Sequence, residues 1–129
     1  MYNVSMGKRK TIKKLPNEEI DSVSNLFSIL SNPVRMKILF LLKKKKSINV
    51  HELQELLNIS QSNVSQQLSI LKSNKLLVEE RKGKEVYYGL KESKKLSKVL
   101  ASAIHLVGYH ITANSELLST YTELMSFWA

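Results

Sequence analysis

The stretch ISQSNVSQQLSILKSNKLLVEERKGKEVYYGL, residues 59–90, decides the fold. Val64, Leu68 and Leu71 recur at i, i+4 and i+7, which predicts a helix with one apolar face, and Ser60 stands where its N-cap belongs. The opposite side carries Ser62, Ser65, Gln66 and Ser69, with Gln61, Asn63 and Gln67 alongside. After Ser73-Asn74-Lys75 come two short apolar runs, Leu76-Leu77-Val78 and Val86-Tyr87-Tyr88-Gly89-Leu90, separated by a charged, Gly-containing turn. That pattern predicts a β-hairpin directly behind the helix.

The chemistry of the helix face is informative. A face that only meets water is usually built from Lys and Glu, whereas serine is a poor helix former and has no propensity rationale here. Amide side chains pair bidentately with adenine, and hydroxyls bond bases or phosphates. We therefore read Gln61, Ser62, Asn63, Ser65, Gln66 and Gln67 as a surface for a DNA groove, against the plainer alternative of a solvated face. Arg81, Lys82 and Lys84 crowd the hairpin tip, where cations reach phosphate backbone or minor groove. Glu79, Glu80 and Glu85 temper that charge and are expected to pair with lysines or face away from DNA.

Upstream, Asn17 is expected to cap a helix bearing Ile20, Val23, Phe27 and Leu30, with Glu18, Glu19 and Asp21 in its first turn. Ser31-Asn32-Pro33 ends that helix and begins another at Pro33, which carries Val34, Ile38, Leu41 and Leu42 and runs out in Lys43 to Lys46. Those four lysines suit either phosphate contact or solvation at a helix C-terminus. A short helix from Val50 to Leu57 turns at Asn58-Ile59 into the polar-faced one, forming a helix-turn-helix. Downstream, Lys91 to Ala113 predicts a long helix with Leu96, Val99, Leu100, Ala103, Ile104 and Val107 apolar, and a last segment brings Leu117, Leu118, Tyr121, Leu124, Met125, Phe127 and Trp128. The expected fold is mostly α with a small β-hairpin: a dimeric winged helix-turn-helix in the order α-α-α-α-β-β-α. Residues 1–16 form a basic flexible arm, 17–90 the DNA-binding core, and 91–129 a helical dimerisation segment belonging to the same domain.

Dimerisation has its own argument. The first helix and the C-terminal segment carry more apolar surface than one winged domain can cover, although an intramolecular core would take some of it. A two-fold partner would bury the rest and set two recognition helices roughly 34–36 Å apart.

Composition bounds the alternatives. The 129 residues include 20 Lys and Arg against 11 Asp and Glu, a net charge of +9 that fits a polyanionic partner, nucleic acid before membrane. Lys8, Arg9, Lys10, Lys13 and Lys14 stand in the arm without an acid among them, suited to following DNA or to keeping the chain soluble. The chain has no cysteine, which removes disulfides and thiolate metal sites. It lacks an apolar run near the roughly 20 residues of a spanning helix and a secretory leader, so a cytoplasmic protein is expected. There is no Gly-rich phosphate loop and no nucleophile–base set, so no enzyme is expected.

At this point LSNPVRMKILFLL (30–42), HELQELLNISQSNVSQQLSILKSNKLL (51–77) and RKGKEVYYGL (81–90) resemble the arsenic-repressor (ArsR/SmtB) family in order and spacing over residues 26–90. Gln67 departs from the pattern, standing where the family commonly has histidine. The resemblance implies a homodimeric repressor of an AT-rich inverted-repeat operator, released when a small inducer binds. The family's thiolate site would fall on Asn49 and His51, which excludes a soft-metal sensor of that type. Its other metal site would fall on Glu92, Lys94, His105 and Gly108, where only Glu92 and His105 are able to bind. With His110 they are weak candidates for zinc or a similar ion; otherwise no cofactor is expected, and either the inducer is organic or release works by another route. A winged helix used only for protein–protein contact is the remaining alternative.

Overall fold

In chain order the computed structural model forms α1 (Asn17–Leu30), α2 (Pro33–Lys45), β1 (Ile48–Asn49), α3 (Val50–Leu57), α4 (Gln61–Ser73), β2 (Leu77–Lys82), β3 (Glu85–Leu90), α5 (Ser93–Ile111) and α6 (Ser115–Trp128). The structure describes residues 15–111 and 115–128, with the backbone alone for 109–111, 115–118, 120 and 121. Nearly all of the expected basic arm (residues 1–14) and the side chains of His110, Leu117, Leu118 and Tyr121 lie outside the described residues.

The helix starts follow from local chemistry. Asn32 is extended and its side chain accepts from the Arg35 backbone N–H at 3.1 Å, while Pro33 fills the first helical position, where its missing N–H costs nothing. Asn49 caps α3 by accepting from Glu52 N–H at 2.8 Å, and Ser60 caps α4 by accepting from Asn63 N–H at 3.2 Å. Between these helices Asn58 takes the left-handed conformation, φ 54°, which ends α3 and sharpens the turn. At α1 the expectation is off by one residue. Asn17 is the first helical residue, Pro16 precedes it, and no side chain caps this end.

The wing pairs in register from Leu77↔Leu90 to Lys82↔Glu85 across Gly83-Lys84. Gly83 has φ 65°, the positive value that two-residue hairpin turns give to glycine. The hairpin is not free-standing. Ile48 and Asn49 pair with Tyr88 and Tyr87, making a three-stranded sheet in the order β1-β3-β2 and covering the outer edge of β3. At Gly89 a β-carbon would come within 3.0 Å of the Lys46 carbonyl oxygen, so β3 passes close beneath the end of α2.

Ile38, Leu39 and Leu42 of α2, Ile48, Leu53 of α3, and Val64, Leu68 and Leu71 of α4 are completely or almost completely buried. Each contributes about 1.5–3 kcal/mol of transfer free energy and together they fix α4 against α2 and α3. The apolar residues beyond the wing divide in two. Leu96, Leu100 and Trp128 are buried within this chain, and Phe40 meets a tilted Phe127 ring at 4.8 Å and the Trp128 ring edge-to-face at 5.0 Å between centroids. Ile20, Val23 and Phe27 of α1 and Leu106 and Val107 of α5 remain exposed.

Candidate nucleic-acid interface

The burial of Val64, Leu68 and Leu71 turns the opposite side of α4 outward. Gln61, Ser62, Ser65, Gln66 and Ser69 are exposed, and none carries charge. Apart from a contact between the Ser60 and Ser62 hydroxyls at 3.2 Å, their side chains form no hydrogen bond among the described residues. Asn63 and Gln67 are placed differently. Both are half-buried on the flank of the helix, and Gln67 Nε2 donates to Asn63 Oδ1 at 3.0 Å.

Arg35 organises that flank. Its Nη1 donates to Gln67 Oε1 at 2.8 Å, its Nε donates to the Ile29 carbonyl at 2.8 Å, and its own backbone N–H is held by Asn32. One guanidinium thus joins the end of α1, the start of α2 and the middle of α4, the forked donor geometry that arginine supplies and lysine does not. The sequence reading used Arg35 only as part of a motif and missed this role.

At the wing, Arg81, Lys82 and Lys84 are all exposed around the turn. Lys82 folds over the Tyr87 ring, 5.1 Å from its centroid, in cation–π range. The acids are engaged elsewhere. Glu79 forms a salt bridge with Lys72 of α4, and Glu85 accepts from Asn49 Nδ2 at 2.8 Å and from the Tyr87 hydroxyl at 3.1 Å. Glu80 is exposed. The hydrogen bond from Lys72 lowers the pKa of Glu79 and correspondingly raises that of Lys72; burial raises that of Tyr88. These contacts brace the wing against α3 and α4 and leave Arg81 and Lys84 exposed at the tip. Between wing and helices runs a groove of about 380 Å³, lined by Asn49, His51, Gln61, Lys84, Glu85 and Tyr88 among others, so the start of α4 and the wing tip share one surface.

Of the candidate metal ligands, Glu92 and His105 do not come together within a protomer, and the side chain of His110 lies outside the described residues. Glu92 precedes α5 and sits 3.5 Å from Lys95, whereas His105 is thirteen residues further along, about 20 Å at the helical rise. Among the described residues no three His, Asp or Glu side chains are grouped as a metal site would require. His51 is exposed beside Glu55 at 3.0 Å. No helix among the described residues is long and apolar enough to cross a membrane.

A sequence model described as bacterial regulatory protein, arsR family, matches residues 32–77, the span from the Asn32 cap to the first residue of the wing. The chain is 37% identical over 90 residues to the HTH-type transcriptional repressor SmtB of Mycobacterium tuberculosis, covering 70% of this chain and 66% of that repressor, just under two thirds. It is 38% identical over 68 residues to the transcriptional repressor SdpR of Bacillus subtilis, covering 53% of this chain and 74% of the repressor. In fold it is similar to the homodimeric winged helix-turn-helix DNA-binding domain of a Mycobacterium bovis protein, with a TM-score of 0.67 at 22% identity over 78% of this chain and 92% of that one.

Proposed function

The chain belongs to the bacterial arsR family of regulatory proteins, and on that premise we propose that it is a homodimeric DNA-binding repressor acting in the cytoplasm on an inverted-repeat operator. The observation that carries this reading is the outward face of α4: exposed, uncharged and hydrogen-bonding, set beside a basic wing tip. Gln61, Ser62, Ser65 and Gln66 are the base readers, because their amides and hydroxyls project from the side of α4 away from the core. Asn63 and Gln67 serve the same surface indirectly, since Arg35 holds them on the flank and fixes how α4 is presented. Arg81, Lys82 and Lys84 clamp the phosphate backbone and supply affinity without sequence preference.

The second protomer sits on α1 and α5. Phe27, Val99, Ala103 and Leu106 line an apolar groove of about 470 Å³ there, and the exposed Ile20, Val23 and Val107 extend the same two helices. A two-fold axis through this face pairs two α4 helices on adjacent turns of one DNA face. The chain performs no catalysis in this scheme, and Glu92 and His105 are not placed to hold a zinc ion within one protomer.

The experiment is fluorescence anisotropy of the full chain on DNA from its own promoter region and on random duplex, at several salt concentrations, beside sedimentation of the free protein. A dimer is expected that prefers promoter over random DNA by at least about a thousandfold, with affinity falling steeply in salt. Equal affinity for both DNAs, or none at low salt, refutes the repressor reading.

A further inference from the structure

Lys94, Ser97, Lys98 and Ala101 fall at i, i+3, i+4 and i+7 of α5 and share one face. With Lys43 from the last turn of α2 and Trp128 from the end of α6 they line a cavity of about 240 Å³. Two observations give this cavity a chemistry. The Ser97 hydroxyl and the Trp128 indole N–H belong to residues only 7% and 1% exposed, yet neither has a hydrogen-bond partner. Buried polar groups are ordinarily satisfied, and indole is a donor only, so at least one of the two wants an acceptor. Lys45, Lys72 and Lys95 each form a salt bridge, but Lys43, Lys94 and Lys98 have none among the described residues. Three lysines without an ion pair among the described residues therefore line the cavity, together with two residues whose buried donors are closed off from solvent and unpartnered.

We propose that this cavity binds a small organic anion that acts as the effector of the protein. Its carboxylate or phosphate oxygens accept from the surrounding lysines and from the Ser97 hydroxyl and the Trp128 N–H, and a short apolar part rests on Ala101 and the indole ring. The hydroxyl and the indole N–H are closed off from solvent in the free chain and must turn toward the anion. The volume lies below the roughly 300–1,000 Å³ of drug-sized pockets, which suits a ligand of small-metabolite size. Lys98 also lines the apolar groove between α1 and α5. An anion that holds the Lys98 ammonium in the cavity alters the edge of that groove, and with it the seating of the second protomer. This regulatory half rests on the repressor reading, whereas the binding half does not.

Trp128 is the only tryptophan of the chain, so its fluorescence reports on the cavity directly. The 129-residue chain is titrated with hexanoate and with inorganic phosphate at constant ionic strength, with chloride as the reference. A saturable change in emission is expected with at least one of the two and not with chloride. The double variant Lys94→Gln/Lys98→Gln should weaken it at least tenfold, and Ser97→Ala, which leaves every lysine in place, should weaken it severalfold. No saturation with either anion, or identical titrations in wild type and both variants, overturns the site. The anion that saturates Trp128 should then weaken promoter binding severalfold or more. Saturation with unchanged promoter affinity overturns the effector role, and saturation in a chain that binds no DNA supports the site while removing the repressor reading.

Discussion

Replacing Arg35 with methionine should loosen the recognition helix without removing any group proposed to touch DNA. Methionine keeps the apolar stem between α1 and α2 but loses the donors to the Ile29 carbonyl and to Gln67 Oε1, both at 2.8 Å. Hydrogen bonds from a charged donor contribute about 1.5–3 kcal/mol each, and because this site is half-buried the lower end applies, giving a loss of about 3 kcal/mol. Gln67→Met removes one of those bonds together with the bond to Asn63, for about 2 kcal/mol. The shared bond makes the two changes non-additive, with a coupling of about 1–2 kcal/mol in the double variant. Urea unfolding at a fixed protomer concentration measures this, the concentration being held because association adds to apparent stability. Additivity to within about 0.5 kcal/mol refutes the idea that Arg35 and Gln67 act as one strut. Anisotropy supplies the second arm. Both variants should weaken promoter binding together, whereas Gln66→Ala should relax sequence preference with its urea midpoint unchanged. A Gln67→Met protein of normal stability and relaxed preference would make Gln67 a base reader after all.

Lys84→Ala removes one phosphate contact per protomer, so the slope of log affinity against log salt should become shallower by about 1.8 for a dimer, alike on promoter and random DNA. An unchanged slope takes the wing tip off the backbone. Gly89→Ala sets a methyl group 3.0 Å from the Lys46 carbonyl oxygen and 3.7 Å from Val78 Cγ2, and should destabilise by about 1–3 kcal/mol; an unshifted urea midpoint shows that α2 yields at its end. The Lys72–Glu79 pair should contribute most in the neutral range. Because the Glu79 pKa is lowered on folding, its contribution is present above the ordinary carboxylate titration and is lost as pH falls through the lowered value. Because the Lys72 pKa is raised, its contribution is present below the ordinary lysine range and is lost as pH rises through the raised value. Glu79→Gln should flatten the acid side of a urea-midpoint profile, slightly because the pair is exposed, and an unaltered acid limb contradicts the assignment.

The elements that the sequence announces are those whose signals are local. Asn32-Pro33 and Ser60 mark helix starts through caps that reach only three residues ahead, and the period of Val64, Leu68 and Leu71 is contained in one helix. Gly83 between two apolar runs is likewise a short-range signal. β1 escapes the same reasoning because two residues have no periodicity, and Ile48 and Asn49 become a strand only by pairing with Tyr88 and Tyr87, some forty residues away. The C-terminal residues show a different limit. Periodicity identifies Phe127 and Trp128 as apolar but not whose core they enter, and Phe40 is what holds them in this one.

The candidate site divides along the same line. The polar face of α4 stands out because Ser and Gln there go against helix propensity, a signal that needs no tertiary knowledge. Position on a helical wheel cannot separate Gln66 from Gln67 by function, however, since what distinguishes them is an arginine 32 residues earlier. One trace of that arginine was available. The chain has 17 lysines and only three arginines, at 9, 35 and 81, so most of its positive charge is of the solvated, mobile kind. Where such a chain sets an arginine rather than another lysine in the first turn of a core helix, forked hydrogen bonding is the property that lysine could not supply. Arg35 fits that reasoning. Its two acceptors lie on α1, where the second protomer is proposed to sit, and on α4, where DNA is proposed to sit. Arg35 thus ties α1 to the middle of the recognition helix. A second link, from Asn25 Nδ2 of α1 to Asn74 Oδ1 at 3.1 Å, ties α1 to the C-terminal end of that helix, so a change in how α1 is seated has two hydrogen-bonded routes to α4.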